Sequence, residues 1–451
     1  MLARRDLARA AFFRVEVGER RAALADARGP HARARLALEA PERGVVVLGE
    51  VEVAVEDRVA LGRRRVARAG RRERREDEEQ RAATCDNCRA MRALNFNAGP
   101  ATLPLPALEL ARDELLDFGG SGMSILEHSH RGKDYDAVHQ EAKSLLRETL
   151  ELPATHQILF LQGGASQMFA QVPMNFVPRG KSADYVVNGA WGEKGIAEAK
   201  VVGAMLGSSA RVAAETDGKR VPTDAEIQAE PGAAYLHYTS NETIHGCEFH
   251  RIPAASAPLV CDASSDFMWK KVDLSKFALV YAGAQKNVGP SGIVVVLARE
   301  DFVKEGRKDI PKIFQLRTAM DNDSLYNTPP TFAIYLIRNV MRWVKAEGGL
   351  ATIEKRNREK AKLVYDALDA HAGFYDLPVE RESRSVMNVV FRLPNEALEA
   401  EFLAEAKKRR MVGLKGHRSV GGMRASLYNA VPLEWAEALA ELIADFARTK
   451  G

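Results

Sequence analysis

Six short apolar runs, spaced by longer stretches, constrain the fold of residues 91–451 more than any other feature of the chain. The runs lie at 157–162, 184–188, 233–240, 258–264, 277–283 and 292–298. Each has the length of a strand and is apolar almost throughout, which is typical of strands covered on both faces. Helical spacing of apolar residues occurs at 103–118, 134–150, 165–177 and 191–203. The pattern therefore predicts an α/β fold, in which a mainly parallel sheet lies between two layers of helices.

The character of the sequence changes after Pro329 and Pro330. Two long amphipathic helices come first, and elements in the order β-α-β-α follow them. The helices lie at 331–349 and 350–371, and the later elements lie at 385–393, 396–410, 423–430 and 434–450. The chain is expected to divide into a separate segment at 1–90, an N-terminal segment plus a large domain at 91–345, and a small α+β domain at 346–451.

Residues 1–90 differ in composition from the rest of the chain. They contain 21 arginines and 16 acidic residues but no lysine, isoleucine, tyrosine or tryptophan, whereas the remaining residues include 44 basic and 45 acidic ones. Arginine, alanine, glycine and valine dominate, as translation of GC-rich non-coding DNA would give. We interpret the segment as non-native, with the true start at Met91; a disordered extension and a functional arm are the alternatives. The net charge of +4 therefore does not predict nucleic acid as a partner of the remaining residues.

The cysteines and the apolar runs indicate the environment of the chain. Four cysteines in 451 residues are too few for a disulfide framework, so a reducing compartment, the cytoplasm, is expected. Cys85 and Cys88 form one CxxC pair with no second Cys or His pair nearby, so no metal site is predicted there. No run approaches the ~18 uninterrupted apolar residues of a membrane span, so no membrane is expected as a partner.

A lysine and an aspartate follow two of the predicted strands, at the edge where parallel strands end. Lys286, in AQKNVGPSG, is the strongest candidate, because a lysine is rarely buried unless it is paired or chemically used. It could reach solvent along its stem, or it could form a Schiff base through its amine. Asp262, in DASSDF, could cap a turn or face a cationic ring nitrogen.

Three weaker candidates also lie at or just after the end of a predicted strand. The segment GGAS at 163–166 could be an ordinary turn, or it could hold a phosphate at a helix N-terminus. Trp191 could belong to the core or stack on a cofactor, and Thr239 could be a turn residue or bond a phenolic oxygen. Pyridoxal phosphate needs a lysine, an acid, a phosphate site, an aromatic face and a hydroxyl. Together these features predict pyridoxal 5'-phosphate as the cofactor.

Two glycine-flanked loops each place a histidine next to an arginine, at 129–132 (SHRG) and 416–424 (GHRSVGGMR). The planar fork of arginine suits carboxylate and phosphate groups, although ordinary solvated charge is the alternative. The histidines of HSH at 128–130 have no acidic or cysteine partner at metal spacing, so an anion site is preferred to a metal site. Dianionic small molecules are therefore the expected substrates.

The motifs, taken in order, resemble one family. They are NFNAGPATLP, SHRGKDY, GGASQ, NGAWGEKG, YTSNETIHG, DASSDF, AQKNVGPSG, YNTPPTFAIY and GHRSVGGMRASLYNA. Over about residues 94–450 the chain resembles the phosphoserine aminotransferases, a family of class-V, fold-type-I pyridoxal-phosphate transaminases. The resemblance implies a mainly parallel seven-stranded sheet in a large domain, a smaller α+β domain, and a homodimer with shared active sites.

The same resemblance implies an activity. The expected reaction moves an amino group between L-glutamate and 3-phosphohydroxypyruvate, giving O-phospho-L-serine and 2-oxoglutarate in serine biosynthesis. Formation of 4-phosphohydroxy-threonine, in vitamin B6 biosynthesis, is a second candidate. The resemblance does not reach residues 1–90.

The resemblance also implies a role for each matching residue. Lys286 forms the Schiff base and carries the proton, and Asp262 pairs with the pyridinium nitrogen. The implied cofactor contacts are Ala165, Ser166, Trp191, Thr239, Asp262, Gln285 and Lys286, together with Asn327 and Thr328, which reach the neighbouring subunit's cofactor. The implied substrate contacts are Ala98, His130, Arg131, His417, Arg418 and Arg424. Some members carry arginine in the phosphate cup where this chain has Ser166, which puts the charge of the cup in doubt but not the reaction.

Two kinds of alternative function stay open on the sequence alone: a different enzyme of the same fold, and a non-catalytic binding protein. An alanine–glyoxylate transaminase would not need several His/Arg loops, and a cysteine desulfurase would need a mobile nucleophilic cysteine. Cys247 and Cys261 instead lie in or beside predicted strands. A non-catalytic binding protein of the same fold would be expected to lack Lys286 or Asp262, and both are present.

Overall fold

The computed structural model describes residues 92–451. Its strands are β1 (Leu94–Asn95), β2 (His156–Gln162), β3 (Ser182–Val187), β4 (Ser209–Glu215), β5 (Leu236–Thr239), β6 (Asn241–Glu242), β7 (Cys247–Glu248), β8 (Leu259–Asp262), β9 (Leu279–Gly283), β10 (Ile293–Arg299), β11 (Asn388–Phe391), β12 (Met411–Val412) and β13 (Met423–Ser426). Its helices are α1 (Leu105–Asp113), α2 (Lys133–Thr149), α3 (Ala165–Phe176), α4 (Ala190–Leu206), α5 (Glu300–Lys304), α6 (Leu316–Asp321), α7 (Thr331–Ala346), α8 (Gly349–Asp369), α9 (Glu396–Lys408) and α10 (Leu433–Lys450). Within that range, none of the helices combines the length and apolar character that crossing a membrane requires. The predictions for residues 1–90, including the CxxC pair, lie outside the described residues.

A seven-stranded sheet forms the centre of the fold, in the order β2-β10-β9-β8-β5-β3-β4. β10 runs antiparallel to both β2 and β9, and the other neighbouring pairs are parallel. The connections from β2 to β3 and from β3 to β4 run through α3 and α4, because parallel strands need a crossover. The predicted α/β class with a mainly parallel sheet is confirmed.

Alternate residues of β10 enter two different hydrophobic cores. One core is covered by α2 and α7, and the other is covered by α3 and α4. The first receives Ile293, Val295 and Leu297, and the second receives Val294, Val296 and Ala298. Burying a large aliphatic side chain contributes about 1.5–3 kcal/mol, so a strand that is apolar on both sides is most stable between two helical layers. This is the physical basis of the unbroken apolar runs.

A separate core lies in the C-terminal part of the chain. β11 and β13 pair antiparallel, and Val364 of α8, Phe402 of α9 and Ile443 of α10 are buried around them. β1 pairs in parallel with β12, which ties the start of the described chain to this part. α7 ends at Ala346 and α8 begins at Gly349, close to the boundary expected at 345/346, which stays a prediction.

Besides several short elements that the sequence does not predict (β1, β6, β7, β12, α5 and α6), β4 and α1 differ from what the sequence predicts. β4 is not among the predicted strands, because its sequence SARVAAE is rich in small residues and it lies at the edge of the sheet, half exposed. An edge strand of this kind does not produce an apolar run. α1 ends at Asp113 rather than at 118. Leu115 and Leu116, which extend the apolar spacing of that helix, are exposed instead.

Candidate active site

The polar residues predicted at the strand ends lie together at the carboxyl ends of β5, β8 and β9. Thr239, the last residue of β5, is paired in register with Asp262, the last residue of β8. Asp262 is also paired with Tyr281 of β9, and Lys286 follows the end of β9 by three residues. Parallel neighbouring strands thus bring residues that are distant in sequence to one edge of the sheet.

Lys286 is buried at this edge, with 9% of its surface exposed. Its Nζ donates a hydrogen bond to Oγ1 of Thr243 at 2.6 Å and lies 5.3 Å from the centre of the Trp191 ring. Burial lowers the pKa of Lys286 to about 8, although the carboxylates of Asp262 and Glu242 act to raise it. A substantial share of the amine is therefore neutral near pH 8, and a neutral amine can act as a nucleophile and as a base.

Asp262 is the acid whose charge acts most strongly on Lys286, and it is also buried. Its Oδ1 accepts hydrogen bonds from the backbone N–H and the hydroxyl of Ser264, at 2.9 and 2.6 Å. Burial raises the pKa of Asp262, while Ser264 and the charge of Lys286 lower it. A buried carboxylate of this kind is stabilised by a cationic partner, such as a protonated ring nitrogen.

Glu242, which the sequence reasoning missed, fixes the start of α4 beside the site. Its buried carboxylate accepts hydrogen bonds from the backbone N–H of Trp191 at 3.0 and 3.1 Å and from that of Gly192 at 2.8 Å. The carboxylate therefore satisfies first-turn donors at the positive end of the helix dipole. Burial raises the pKa of Glu242 to about 7, against the opposing effect of these hydrogen bonds. Glu242 thus holds the backbone that carries the Trp191 ring.

The segment GGAS forms a tight turn into α3. Gly163 has a φ of +100°, and a Cβ there would lie 2.1 Å from Oε1 of Gln167, so the turn requires glycine. Ala165 and Ser166 begin α3, whose first N–H groups have no acceptor within the helix. The N–H of Gly163 donates to the carbonyl of Gly292 at 3.0 Å, which joins the turn to the loop that follows Lys286. A helix N-terminus in this position is suited to a phosphate.

The segment around Gly99 lies against the lysine. A Cβ on Gly99 would be 3.5 Å from Cγ of Lys286. The backbone N–H of Ala101 donates to the carbonyl of Gln285 at 2.9 Å. Ala98, which precedes Gly99, and Gln285, which precedes Lys286, are therefore both placed next to the lysine, as the resemblance implies.

A group of cationic side chains lies on the C-terminal side of the site. Nη1 of Arg424 donates to the carbonyl of Thr243 at 3.4 Å, and its Nε is buried with no hydrogen-bond partner among the described residues. Burial lowers the pKa of His417. The neighbouring charges of Arg424, Lys194 and Arg418 lower it further. His417 therefore lies close enough to Arg418 and Arg424 to be affected by their charges, and Arg424 contacts Thr243, the residue that contacts Lys286.

Lys194 and His245 belong to the same region, and the sequence reasoning missed both. Nζ of Lys194 lies 4.2 Å from the centre of the Trp191 ring. Nδ1 of His245 is buried with no partner in the part of the chain that the structure describes. Burial lowers the pKa of His245, and the charge of His417 acts in the same direction. Lys194 thus adds a cationic side chain to this region, whereas the lowered pKa of His245 favours its neutral form.

Four predicted residues lie in two loops and not at the ends of β5, β8 and β9. They are His130, Arg131, Asn327 and Thr328. The first two lie in the loop ahead of α2 and the others in the loop ahead of α7, where the carbonyl of Thr328 accepts a hydrogen bond from Gln162 at 3.1 Å. Among residues 92–451, no hydrogen bond or ion pair joins any of the four to Lys286 or Asp262.

Comparison with known proteins gives matches over nearly the whole described chain. The model of a family described as Aminotransferase class-V matches residues 93–439. A phosphoserine aminotransferase from Geobacillus kaustophilus (strain HTA426) is 51% identical over 357 residues, which cover 79% of this chain and 99% of that protein. A solved structure of phosphoserine aminotransferase from Bacillus circulans subsp. alkalophilus has a TM-score of 0.77 at 50% identity, covering 80% of this chain and 99% of that one. The PLP-bound phosphoserine aminotransferase from Trichomonas vaginalis has a TM-score of 0.75 at 38% identity, covering 78% of this chain and 99% of that one.

The fold and the site define an aminotransferase that depends on pyridoxal phosphate, and the chain belongs to the class-V aminotransferase family. Within that class, the relatives show that it belongs to the phosphoserine aminotransferases. The resemblance that the motifs predict is confirmed, and so is the predicted cofactor.

The residues present fit pyridoxal phosphate on observations of this structure. The hydroxyl of Thr239 is buried and has no hydrogen-bond partner among the described residues, so it is free for an oxygen of the cofactor. Asp262 offers a buried carboxylate, Trp191 an aromatic face and Lys286 a largely desolvated amine. The first turn of α3 offers backbone donors for the phosphate.

Proposed function

We propose that this aminotransferase moves an amino group between L-glutamate and 3-phosphohydroxypyruvate, giving O-phospho-L-serine and 2-oxoglutarate. The observation that carries the proposal is that Lys286, a buried amine with a pKa near 8, shares one site with Asp262 and with the basic group around Arg424. Each proposed substrate carries two anionic groups, which such a basic group would bind. The relatives are named phosphoserine aminotransferases, which supports phosphoserine as one of the compounds in the reaction.

Lys286 is the proton carrier of the reaction. Bound pyridoxal phosphate supplies an electron-withdrawing ring, which makes the α-proton of an amino acid acidic. Lys286 takes that proton as a neutral amine and returns it in a later step, which its lowered pKa permits near neutral pH. The carboxylate of Asp262 would stabilise the positive charge of a protonated ring nitrogen of the cofactor. The hydroxyl of Thr239, which has no partner among the described residues, would donate a hydrogen bond to an oxygen of the cofactor.

Arg424, His417 and Arg418 bind the anionic groups of the substrates. The unpaired buried Nε–H of Arg424 is costly unless a ligand accepts its hydrogen bond, and a carboxylate fits the planar guanidinium. Arg418 is exposed and lies near His417, where the phosphate or the second carboxylate of a substrate can reach both. Lys194 adds a further positive charge near these residues.

The active enzyme is a homodimer in which each active site is shared. Support comes from four residues that match ones implied in the site but form no hydrogen bond or ion pair with Lys286 of their own chain: Asn327, Thr328, His130 and Arg131. Their loops also carry large exposed apolar side chains: Leu126 is 55% exposed and Tyr326 is 44% exposed. Exposed apolar groups next to polar site residues are typical of subunit contacts.

A cysteine desulfurase is disfavoured by the two described cysteines. Cys247 lies in β7 and Cys261 in β8, and both are buried thiols. Burial raises the pKa of both, to about 12 for Cys247, so neither is a mobile thiolate.

The visible band of the yellow holoenzyme tests the function. Glutamate is expected to bleach the band, and 3-phosphohydroxypyruvate is expected to restore it, with O-phospho-L-serine as the product. Alanine and cysteine are the comparison donors, and pyruvate and glyoxylate are the comparison acceptors. A protein that responds to alanine or cysteine but not to glutamate would refute the proposal.

A further inference from the structure

A cavity of about 210 Å³ lies apart from the cofactor site. Its apolar walls, which include Tyr238, Phe249, Phe277 and Val280, belong to the core covered by α2 and α7. Trp191 packs against the other core, the one covered by α3 and α4. None of the residues that line the cavity is among the candidate cofactor or substrate contacts. The cavity is therefore a separate place where a small molecule could bind.

The carboxyl group of Asp266 lines this cavity and is only half satisfied. Asp266 is partly exposed, whereas Cys261 and Phe267, which line the cavity beside it, are buried. Its Oδ1 is hydrogen-bonded to the hydroxyl of Ser240 at 2.5 Å. Among residues 92–451, no hydrogen bond or ion pair engages its Oδ2. One oxygen of an inner carboxyl group is thus left for a ligand.

The charges around Asp266 are mainly negative. The carboxylates of Glu248 and Asp262 both act on it, against the charge of Lys270. Nζ of Lys270 lies 3.9 Å from Oε1 of Glu248, so this cation is shared with another buried acid. Burial and the charge of Glu248 raise the pKa of Asp266 to about 8, as is typical of a carboxyl group that lacks a cationic partner of its own.

The basic residues at the mouth of the cavity already have partners. Nη2 of Arg251 lies 3.0 Å from Oδ1 of Asp224, and Nζ of Lys271 lies 2.5 Å from Oε2 of Glu151. Burial lowers the pKa of His250, which favours its neutral form. These residues therefore give an anionic ligand little excess positive charge, and the unmatched charge of the cavity is the negative one inside it.

We propose that this cavity binds a small organic cation, in which an ammonium group is attached to an apolar body of about one ring. The ammonium group donates a hydrogen bond to Oδ2 of Asp266 and supplies the positive charge that this acid lacks. The ring lies among Phe249, Leu274 and Phe277. The cavity is larger than the ~150 Å³ of an engineered cavity that holds benzene. Binding here does not require the proposed amino-transfer function.

Calorimetric titration of the holoenzyme with N,N-dimethyl-2-phenylethylamine tests the site, with the cofactor kept saturating. This tertiary amine is cationic near neutral pH and cannot form an imine with the cofactor, because it has no N–H bond to lose. 2-Phenylethanol has the same ring without a charge, and 3-phenylpropionate carries the opposite charge. The amine is expected to bind once per chain, at least about tenfold more tightly than either comparison compound.

Three variants locate the bound amine. Asp266→Asn removes the charge but keeps an oxygen for Ser240, and it is expected to weaken binding at least about tenfold. Asp273→Asn is the matched control, because Asp273 is an exposed acid that also lines the cavity, and its affinity is expected to stay within about twofold. Val272→Phe fills the cavity from its wall and is expected to abolish binding, which keeps the test open if Asp266→Asn does not fold. The cofactor band and the thermal midpoint show which variants are folded.

Several results would overturn the cation site. One is the lack of saturable binding of the amine at up to about 10 mM. Another is equal affinity for the amine and for 2-phenylethanol or 3-phenylpropionate, since the charge would then have no role. Binding that a folded Asp266→Asn or Val272→Phe variant leaves unchanged would place the amine elsewhere. Because none of these measurements uses turnover, their failure is distinct from a failure of glutamate to bleach the visible band.

Discussion

A single buried lysine distinguishes this site from an ordinary anion-binding cleft. Replacing Lys286 with Ala removes the proton carrier but leaves Asp262, Trp191 and Thr239 in place. Turnover is therefore expected to fall by at least about a thousandfold, while some cofactor stays bound. Steady-state formation of 2-oxoglutarate, measured beside the absorbance of gel-filtered protein, checks this. Lys286→Arg is the control for charge, and substantial turnover in Lys286→Ala would refute the assignment.

Glu242 gives the stability of the protein a predictable dependence on pH. Its carboxyl keeps a proton up to about pH 7 in the native state but loses it near pH 4.5 in the unfolded chain. The native state binds more protons between these values, so this residue makes stability fall as the pH rises from 4.5 to 7. Glu242→Gln removes that contribution. The stability of the variant relative to wild type is therefore expected to rise across this window, by on the order of 3 kcal/mol, because each pKa unit corresponds to about 1.4 kcal/mol.

Urea denaturation at several pH values measures the effect of Glu242→Gln. Glu198→Gln, at an exposed position on α4, the helix whose first turn Glu242 caps, controls for the change in net charge. A stability difference between Glu242→Gln and wild type that stays flat or falls from pH 5 to pH 7 would show that the carboxyl does not retain its proton.

Residues that follow a strand could be predicted from the sequence, and residues that act across the sheet could not. Lys286, Asp262 and Thr239 each stand at the end of an apolar run, so the strand itself marks them. Glu242 and Thr243 lie in the motif YTSNETIHG, but their hydrogen-bond partners Trp191 and Lys286 are 51 and 43 residues away. No local pattern indicates that an acid will cap a helix so distant in sequence.

Two glycines near the start of α4, Gly192 and Gly195, differ in the space available for a side chain. A Cβ on Gly192 would lie 3.1 Å from the carbonyl oxygen of Val186 and from Cα of Val187, both of them backbone atoms of β3. A Cβ on Gly195, one turn later, would meet nothing closer than 3.6 Å. The helix therefore approaches the sheet most closely where Glu242 caps it.

Gly192→Ala is expected to lower the thermal midpoint and the cofactor occupancy, because the helix start must move away from β3 and carry Trp191 with it. Gly195→Ala is the matched control, and helix propensity predicts a gain of up to about 1 kcal/mol there. Thermal melts give the midpoint of each variant, and the ratio of visible to ultraviolet absorbance gives its cofactor occupancy. Equal behaviour of the two variants would show that the close approach has no energetic consequence.

Elements with a strong apolar pattern could be predicted, and elements shaped by tertiary contacts could not. β10 and α7 lie where their patterns place them, because nearly every residue of β10 and one face of α7 are buried. β4 lacks such a pattern, since an edge strand buries little. The antiparallel direction of β10 has a signal in the sequence, because residues 284–292 leave no room for a crossover helix.

Shared active sites in a dimer predict complementation between two inactive variants. Lys286→Ala lacks the amine, and a double substitution of Asn327 and Thr328 by Ala lacks the side chains that are proposed to reach the neighbouring subunit's cofactor. A refolded equal mixture is expected to reach up to about a quarter of wild-type activity, because half of the dimers are mixed and each of these has one intact site. Each variant refolded alone is the control. A mixture no more active than its components contradicts shared sites.

The described residues contain every candidate site residue, and this leads to a prediction about residues 1–90. A chain beginning at Met91 is expected to keep the thermal midpoint, the cofactor content and the turnover of the full chain. The comparison of the two chains by thermal melt and by glutamate-dependent bleaching checks this. A large loss of activity on removal of residues 1–90 would favour the functional arm over the non-native interpretation.

The position of β10 between β2 and β9 has a consequence for the order of synthesis. β2 lies at the edge of the seven-stranded sheet and bonds to β10, from which residues 163–292 separate it along the chain. On the ribosome, the apolar strand HQILFLQ must therefore wait without its sheet neighbour until β10 emerges. β9 and β10, joined by the short loop that carries Lys286, can pair as soon as they appear. Nascent chains arrested before β10 are expected to be protease-sensitive and bound by chaperones, and chains arrested well beyond α7 are expected to be resistant.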